Sequence, residues 1–434
     1  MNSRIERLQP YPFERLAKLI EGISPPPDKH PIRLSLGEPQ HAAPPFVLEA
    51  LAAHLAEFSR YPLSSGTPAL RRAVADWATR RFRLDRVPLD PDRHVAPCAG
   101  TREAIFSLAQ AVIERRAHAD RPIVLMPNPF YQIYEGAALL AGARPYYLNT
   151  VAENGYRMDF TRVPDDLWEQ VQLVYVCSPG NPTGAVMTRA DYAALIALAE
   201  KHDFLIASDE CYSEIYFDEA NPPVGLLEVA NELGIEDYRR CIVFHSLSKR
   251  SNLPGLRSGF VAGDGTVMEK YRRYRTYHGC ALPPPVQAAS IAAWGDEQHV
   301  RENRARYREK LEAVLSILDP VLAIERPAAG FYLWLALPQD DEHFARDLYA
   351  RENVLVLPGR YLSRYAQGAD PGRGRARLAL VAELEECVEA AWRIRRHLES
   401  LGESATRAPP WCARATDRGP ARSLSNRSHR NRHL

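Results

Sequence analysis

Cys241-Ile242-Val243-Phe244-His245-Ser246-Leu247-Ser248-Lys249 is an apolar run that stops on two hydroxyls and a lysine. A short β-favouring run bounded by such residues reads as a buried strand whose carboxyl end carries polar groups. The same form recurs along the chain. Ile123-Val124-Leu125-Met126 ends in Pro127-Asn128-Pro129, Leu173-Val174-Tyr175-Val176-Cys177 in Ser178-Pro179-Gly180-Asn181, and Phe204-Leu205-Ile206-Ala207-Ser208 in Asp209. Gly259-Phe260-Val261-Ala262-Gly263 follows Arg257. Longer helical patterns separate these runs between about residues 95 and 265, which is the pattern of an α/β fold with a mostly parallel sheet. Open sheets of this kind bind ligands at the carboxyl ends of their strands, where these polar residues fall.

After Pro283-Pro284-Pro285 the pattern becomes one long helical stretch to about Leu318. Strand-like Phe331-Tyr332-Leu333-Trp334-Leu335, Val354-Leu355-Val356-Leu357 and Arg375-Ala376-Arg377-Leu378-Ala379-Leu380 follow, then a helix from Leu384 to Ser400. A chain of 434 residues outgrows one small core. The expected division is an N-terminal arm with part of a small domain over 1–45, a large domain over 46–290, a smaller α+β domain over 291–402, and a disordered basic tail over 403–434.

Net charge is +1, with 46% hydrophobic and 25% charged residues, so no long-range field favours nucleic acid or an anionic membrane. The seven cysteines show no Cys-x-x-Cys spacing, and no cluster of metal-ligating residues stands out. Met1-Asn2-Ser3-Arg4-Ile5-Glu6-Arg7 lacks the apolar stretch of a secretory signal, so the expected compartment is the cytoplasm.

The strand-end residues form a constellation. Lys249 can make a Schiff base with an aldehyde cofactor, Asp209 can keep a pyridine nitrogen protonated, and Arg257 can pair with a phosphate beside the Ser246 and Ser248 hydroxyls. Together they point to pyridoxal 5′-phosphate (PLP). Each has a plainer reading: Asp209 as a helix cap, Lys249 as a solvated loop residue. Gly100-Thr101-Arg102 opens a helical run reaching toward Arg115, which makes an anion site or an ordinary cap. Asn181, in a turn-rich segment, would donate to the cofactor phenolate beside the Tyr212 hydroxyl. Tyr131 would lie against the pyridine ring, or else join the core. Arg377 would bind a substrate carboxylate at two points, with Arg375 on the same face of its strand as the competitor.

Leu36-Gly37-Glu38-Pro39, Tyr61 through Gly66 to Leu70-Arg71, Asn181-Pro182-Thr183-Gly184, Asp209-Glu210-Cys211-Tyr212, Ser246-Leu247-Ser248-Lys249 and Arg377 resemble the motifs of the fold-type I, class I/II PLP-dependent aminotransferases over roughly residues 10–400. The resemblance implies Lys249, Asp209 and Tyr212 as the catalytic group. It implies Gly100, Thr101, Arg102, Tyr131, Asn181, Ser246, Ser248 and Arg257 around the cofactor, and Gly37, Asn181 and Arg377 on the substrate. It further implies a homodimer with shared sites, in which Tyr61 reaches the phosphate of the neighbouring subunit, and small amino-acid and 2-oxo-acid substrates. Longer phrases, including Gly100-Thr101-Arg102-Glu103-Ala104 and His245 through Asn252, resemble the branch of that family acting on succinylated diaminopimelate in lysine synthesis. An aspartate or aromatic aminotransferase and a PLP-dependent carbon–sulfur lyase are the alternatives.

Overall fold

The computed structural model describes residues 1–114 and 122–406, with side chains to 401. Near the amino end, β1 (Ile32–Arg33) runs parallel to Val354–Leu355, joining the N-terminal segment to a distant part of the chain. Seven strands then build the central sheet: β2 (Val95–Cys98), β3 (Ile123–Asn128), β4 (Arg144–Asn149), β5 (Val171–Cys177), β6 (Leu205–Asp209), β7 (Cys241–Ser246) and β8 (Gly259–Gly263). Their order across the sheet is β2-β8-β7-β6-β5-β3-β4. Pairings from β4 to β7 are parallel, and β8 runs antiparallel to both of its neighbours, β7 and β2.

Five of these strands coincide with the apolar runs read from the sequence; β2 and β4 do not. Both lie at the sheet edges and both contain a proline, Pro97 and Pro145, which an edge tolerates because one side of it needs no ladder N–H. Central strands are buried on both faces and so read as unbroken apolar runs.

A second, three-stranded sheet holds β9 (Tyr332–Ala336), β11 (Leu357–Pro358) and β12 (Arg375–Ala379) in the antiparallel order β11-β12-β9. Val354-Leu355-Val356-Leu357 is not one strand: β10 (Val354–Leu355) pairs with β1, and β11 pairs with β12. All four side chains are buried or half-buried, so hydrophobicity alone could not reveal the change of partner. The long helical stretch is likewise two helices, Pro284–Gly295 and Gln298–Leu318. Asp296 is extended between them, and its Oδ1 accepts from the His299 backbone N–H at 3.0 Å, which starts the second helix anew.

The last helix, Leu384–Thr406, runs four residues into the stretch expected to be a disordered tail. The rest of that tail, 407–434, lies outside the described residues. Among the described residues no helix is long and apolar enough to cross a membrane.

Candidate active site

A cleft of about 500 Å³ opens where the carboxyl ends of the central strands face the three-stranded sheet and the Leu36–Glu38 loop. Strand geometry loads one wall. β7 ends at Ser246, whose hydroxyl accepts from the Ser248 N–H at 3.1 Å and caps the one-turn helix Leu247–Arg250. That turn carries Lys249 into the cleft, where Nζ donates to the Gly37 carbonyl at 2.6 Å. Burial pulls the amine down to about 8, and the cations Arg377 and Arg257 push the same way. A larger fraction of Lys249 is therefore uncharged and nucleophilic near neutral pH than for an ordinary lysine.

β6 ends at Asp209, which is buried. Its Oδ2 accepts from the Tyr134 hydroxyl at 2.7 Å and its Oδ1 from the Cys211 N–H at 3.3 Å. Burial raises its pKa, and the bonds from Cys211 and Tyr134 and the charge of His245 oppose the rise without cancelling it, so among the described residues no cation fully compensates the carboxylate. A protonated ring nitrogen would supply one.

The anion end lies nearby. Gly100 precedes the twelve-residue helix Thr101–Val112 with φ of +84°, a conformation open to glycine, and a Cβ there would collide with the Arg257 guanidinium. Close approach of backbone and guanidinium therefore needs this glycine. Thr101, Arg102, Ser246, Ser248 and Arg257 all line the cleft, a helix N-terminus, hydroxyls and cations of the kind a phosphate requires. Arg257 is steadied by the Pro254 and Ala99 carbonyls.

The opposite wall comes from the smaller sheet. β12 places Arg377 in the cleft, 4% exposed, with Nη1 donating to Asn181 Oδ1 at 3.0 Å and Nη2 to the Ser35 carbonyl at 2.6 Å. Its Nε is buried and has no hydrogen-bond partner among the described residues. A buried guanidinium held by neutral oxygens is suited to an arriving carboxylate. Arg375 instead lies over the Tyr156 ring at 5.5 Å and does not line the cleft. With its oxygen on Arg377, Asn181 has its –NH2 end left to donate to a ligand.

Tyr212, buried, hydrogen-bonds Tyr332 at 3.0 Å, and Tyr131 takes a 2.8 Å bond from Arg102 Nε while its ring flanks the cleft. Tyr61 is fully exposed and lies outside the cleft lining. Tyr134, Tyr332 and Cys177 are site residues that the sequence reading did not single out. Tyr134 had a signal: it lies in the first turn of the helix Gln132–Ala141, three residues after Tyr131, which caps that helix. Tyr332 had none, because a tyrosine on a buried strand is ordinary core.

The residues fit PLP at each of its ends: a helix N-terminus with cations for the phosphate, a buried carboxylate for the ring nitrogen, and a neutralisable lysine between them. This combination of fold and cleft defines a PLP-dependent enzyme of fold type I. Comparison with known proteins narrows the class. Residues 29–393 match the model of the family described as aminotransferase class I and II. The chain is 34% identical over 405 residues to the LL-diaminopimelate aminotransferase of Desulforudis audaxviator, covering 90% of this chain and 96% of that protein. A crystal structure of an aminotransferase from Neisseria meningitidis superposes with a TM-score of 0.87 at 46% identity, covering 92% of this chain and all of that one. A probable N-succinyldiaminopimelate aminotransferase from Thermus thermophilus does so with a TM-score of 0.77 at 28% identity, covering 89% and 98%. The chain belongs to the class I and II aminotransferases and is an aminotransferase whose cofactor is PLP.

Proposed function

We propose that Lys249 carries the coenzyme and, once released, moves the proton at the substrate Cα, and that Asp209 keeps the ring nitrogen protonated. Bound there, PLP supplies an electron sink for the charge left at Cα. Asn181 and Tyr212 hold the phenolic oxygen, Tyr131 covers one ring face, and Ser246, Ser248, Arg257 and the Gly100-Thr101-Arg102 turn hold the phosphate. Arg377, with Gly37 and Asn181, orients the substrate α-carboxylate. The observation that carries this reading is the depressed amine of Lys249 in one cleft with a buried acid and a carboxylate-ready arginine. The proposed assembly is a homodimer, in which Tyr61, exposed in one chain, completes the phosphate site of the other. The proposed division into arm, large domain, small domain and tail follows the boundaries at 45, 290 and 402.

The proposed donor is N-succinyl-LL-2,6-diaminopimelate, with 2-oxoglutarate as acceptor in lysine synthesis. The name of the Thermus neighbour supports it. Free LL-diaminopimelate is the second reading, favoured by the names of the relatives and by Glu38 in the cleft lining, which would pair with a free distal ammonium. Measuring kcat/KM for both donors, aspartate and an aromatic amino acid with 2-oxoglutarate decides among them. At least tenfold preference for the succinylated donor is expected, and equal or better use of another donor overturns it. Pyruvate release without an acceptor would instead mark a lyase.

A further inference from the structure

His41 stands four residues after Gly37 and is 5% exposed. Its Nε2 lies 2.6 Å from Lys310 Nζ and its Nδ1 2.8 Å from Asn303 Oδ1. A lysine ammonium has hydrogens and no lone pair, so Nε2 must accept and Nδ1 must carry the ring proton. That tautomer suits Asn303, whose Oδ1 then accepts from His41 and also from Asn252 Nδ2 at 2.9 Å. Asn303 Nδ2 in turn points at the Lys249 and Arg250 carbonyls, 3.4 Å from each.

Two lines therefore run from His41 to the reactive lysine. One passes through Asn303 to the peptide of Lys249. The other passes back along the loop to Gly37, whose carbonyl accepts from Nζ. A third contact is aromatic: His41 lies 4.7 Å from Tyr307, Tyr307 stacks on Phe331 at 5.3 Å, and Lys249 Nζ sits 5.5 Å over the Phe331 ring. Burial holds His41 and Lys310 both below their usual pKa values; Arg306 adds to this at both, and Glu383 opposes it. Protonating His41 would set an N–H against the ammonium, so the neutral ring is the state in which the network is satisfied.

We propose that His41 is a positioning residue that fixes the Lys249 amine through the Gly37–His41 loop and through Asn303; the proposal rests on Lys249 being the coenzyme-bearing lysine. Loosening this tether lets water reach the amine and relieves the burial that depresses its pKa. The ring's contact with Tyr307 survives in His41→Phe, but Lys310 keeps only the Val381 carbonyl at 3.5 Å, Asn303 loses one of its two donors, and stability falls. His41→Phe combined with Lys310→Met removes the stranded charge.

The test measures, for the coenzyme-free chain, the pH midpoint of Lys249 labelling by an amine reagent, located by peptide mapping, with Tm and the kcat of the loaded enzyme beside it. Relative to His41→Phe alone, the double variant should recover Tm while the midpoint stays raised by about half a unit or more, and kcat should stay about tenfold low with KM little changed. His41→Gln, which keeps one donor and one acceptor, should restore much of both. Asn303→Ser leaves the buried His41–Lys310 contact in place and should raise the midpoint in the same way if the double variant does not fold. A wild-type midpoint in either well-folded variant overturns the tether. Multiple turnover by Lys249→Ala would instead overturn the reading of the site, since labelling reports on the amine whatever its role.

Discussion

The two walls of the cleft are built by different means. On the sheet side, Asp209, Ser246 and Lys249 each stand at or just beyond the end of a buried strand, and neighbouring parallel strands bring them together in register. On the other side, Gly37, Tyr332 and Arg377 come from segments up to about 340 residues apart, joined by the Arg377 bond to the Ser35 carbonyl and by the close seat of Gly37 on Tyr332. The first wall is a consequence of local patterning repeated along a sheet. The second exists only while the small sheet and the N-terminal segment stay docked, which makes it the natural place for substrate recognition to vary without disturbing the coenzyme.

The largest effect should come from the sheet wall. Lys249→Ala should lower kcat by roughly 10⁴-fold or more and remove the visible absorbance of lysine-bound coenzyme. The wild-type coenzyme-free chain should take up PLP with a rate that rises as pH passes through about 8, since the amine whose pKa is lowered loses its proton there and only the free amine attacks. Asp209→Ala should follow, with a loss of roughly 10²–10³-fold in kcat and little change in Tm, as expected when a charge facing the reacting system is removed.

The other wall should respond in KM. Arg377→Lys replaces a two-point partner by a point charge and should raise KM for the amino donor by about tenfold to a hundredfold, leaving the coenzyme spectrum intact. Arg375→Lys should change KM by less than about twofold, because Arg375 lies over Tyr156 outside the cleft. Equal effects of the two substitutions would erase the contrast between the walls.

Tyr134→Phe should cost about 1–2 kcal/mol from one lost bond to the buried carboxylate. That bond lowers the pKa of Asp209, so its removal raises it, and the acid limb of kcat should move to higher pH. A pH profile unchanged by Tyr134→Phe would show that Asp209 does not govern that limb.

Much of the sheet wall is legible in the amino-acid sequence, because period, turn residues and strand ends are local. Asp209, Ser246, Ser248, Lys249 and Arg257 were marked by apolar runs that stop on chemistry. Gly100 and Asn181 carry weaker signals that a cap or a turn would explain equally well; Gly100 is in fact a helix N-cap, and the packing of Arg257 and Arg377 against the two residues is visible only in the fold. Tyr134, Tyr332 and the His41–Lys310 contact were not readable, since each depends on what a distant segment places beside an ordinary residue. The split of Val354–Leu357 between two sheets and the break at Asp296 belong with them.

The amino-acid sequence by itself determined the α/β class, the strand ends and the set of lysine, acid, hydroxyl and arginine side chains gathered there, because burial periodicity and turn chemistry act over a few residues. Tertiary structure alone decided which arginine enters the cleft, how far the Lys249 proton affinity falls and what holds its amine in place, because desolvation and hydrogen-bond geometry depend on neighbours that no local pattern specifies.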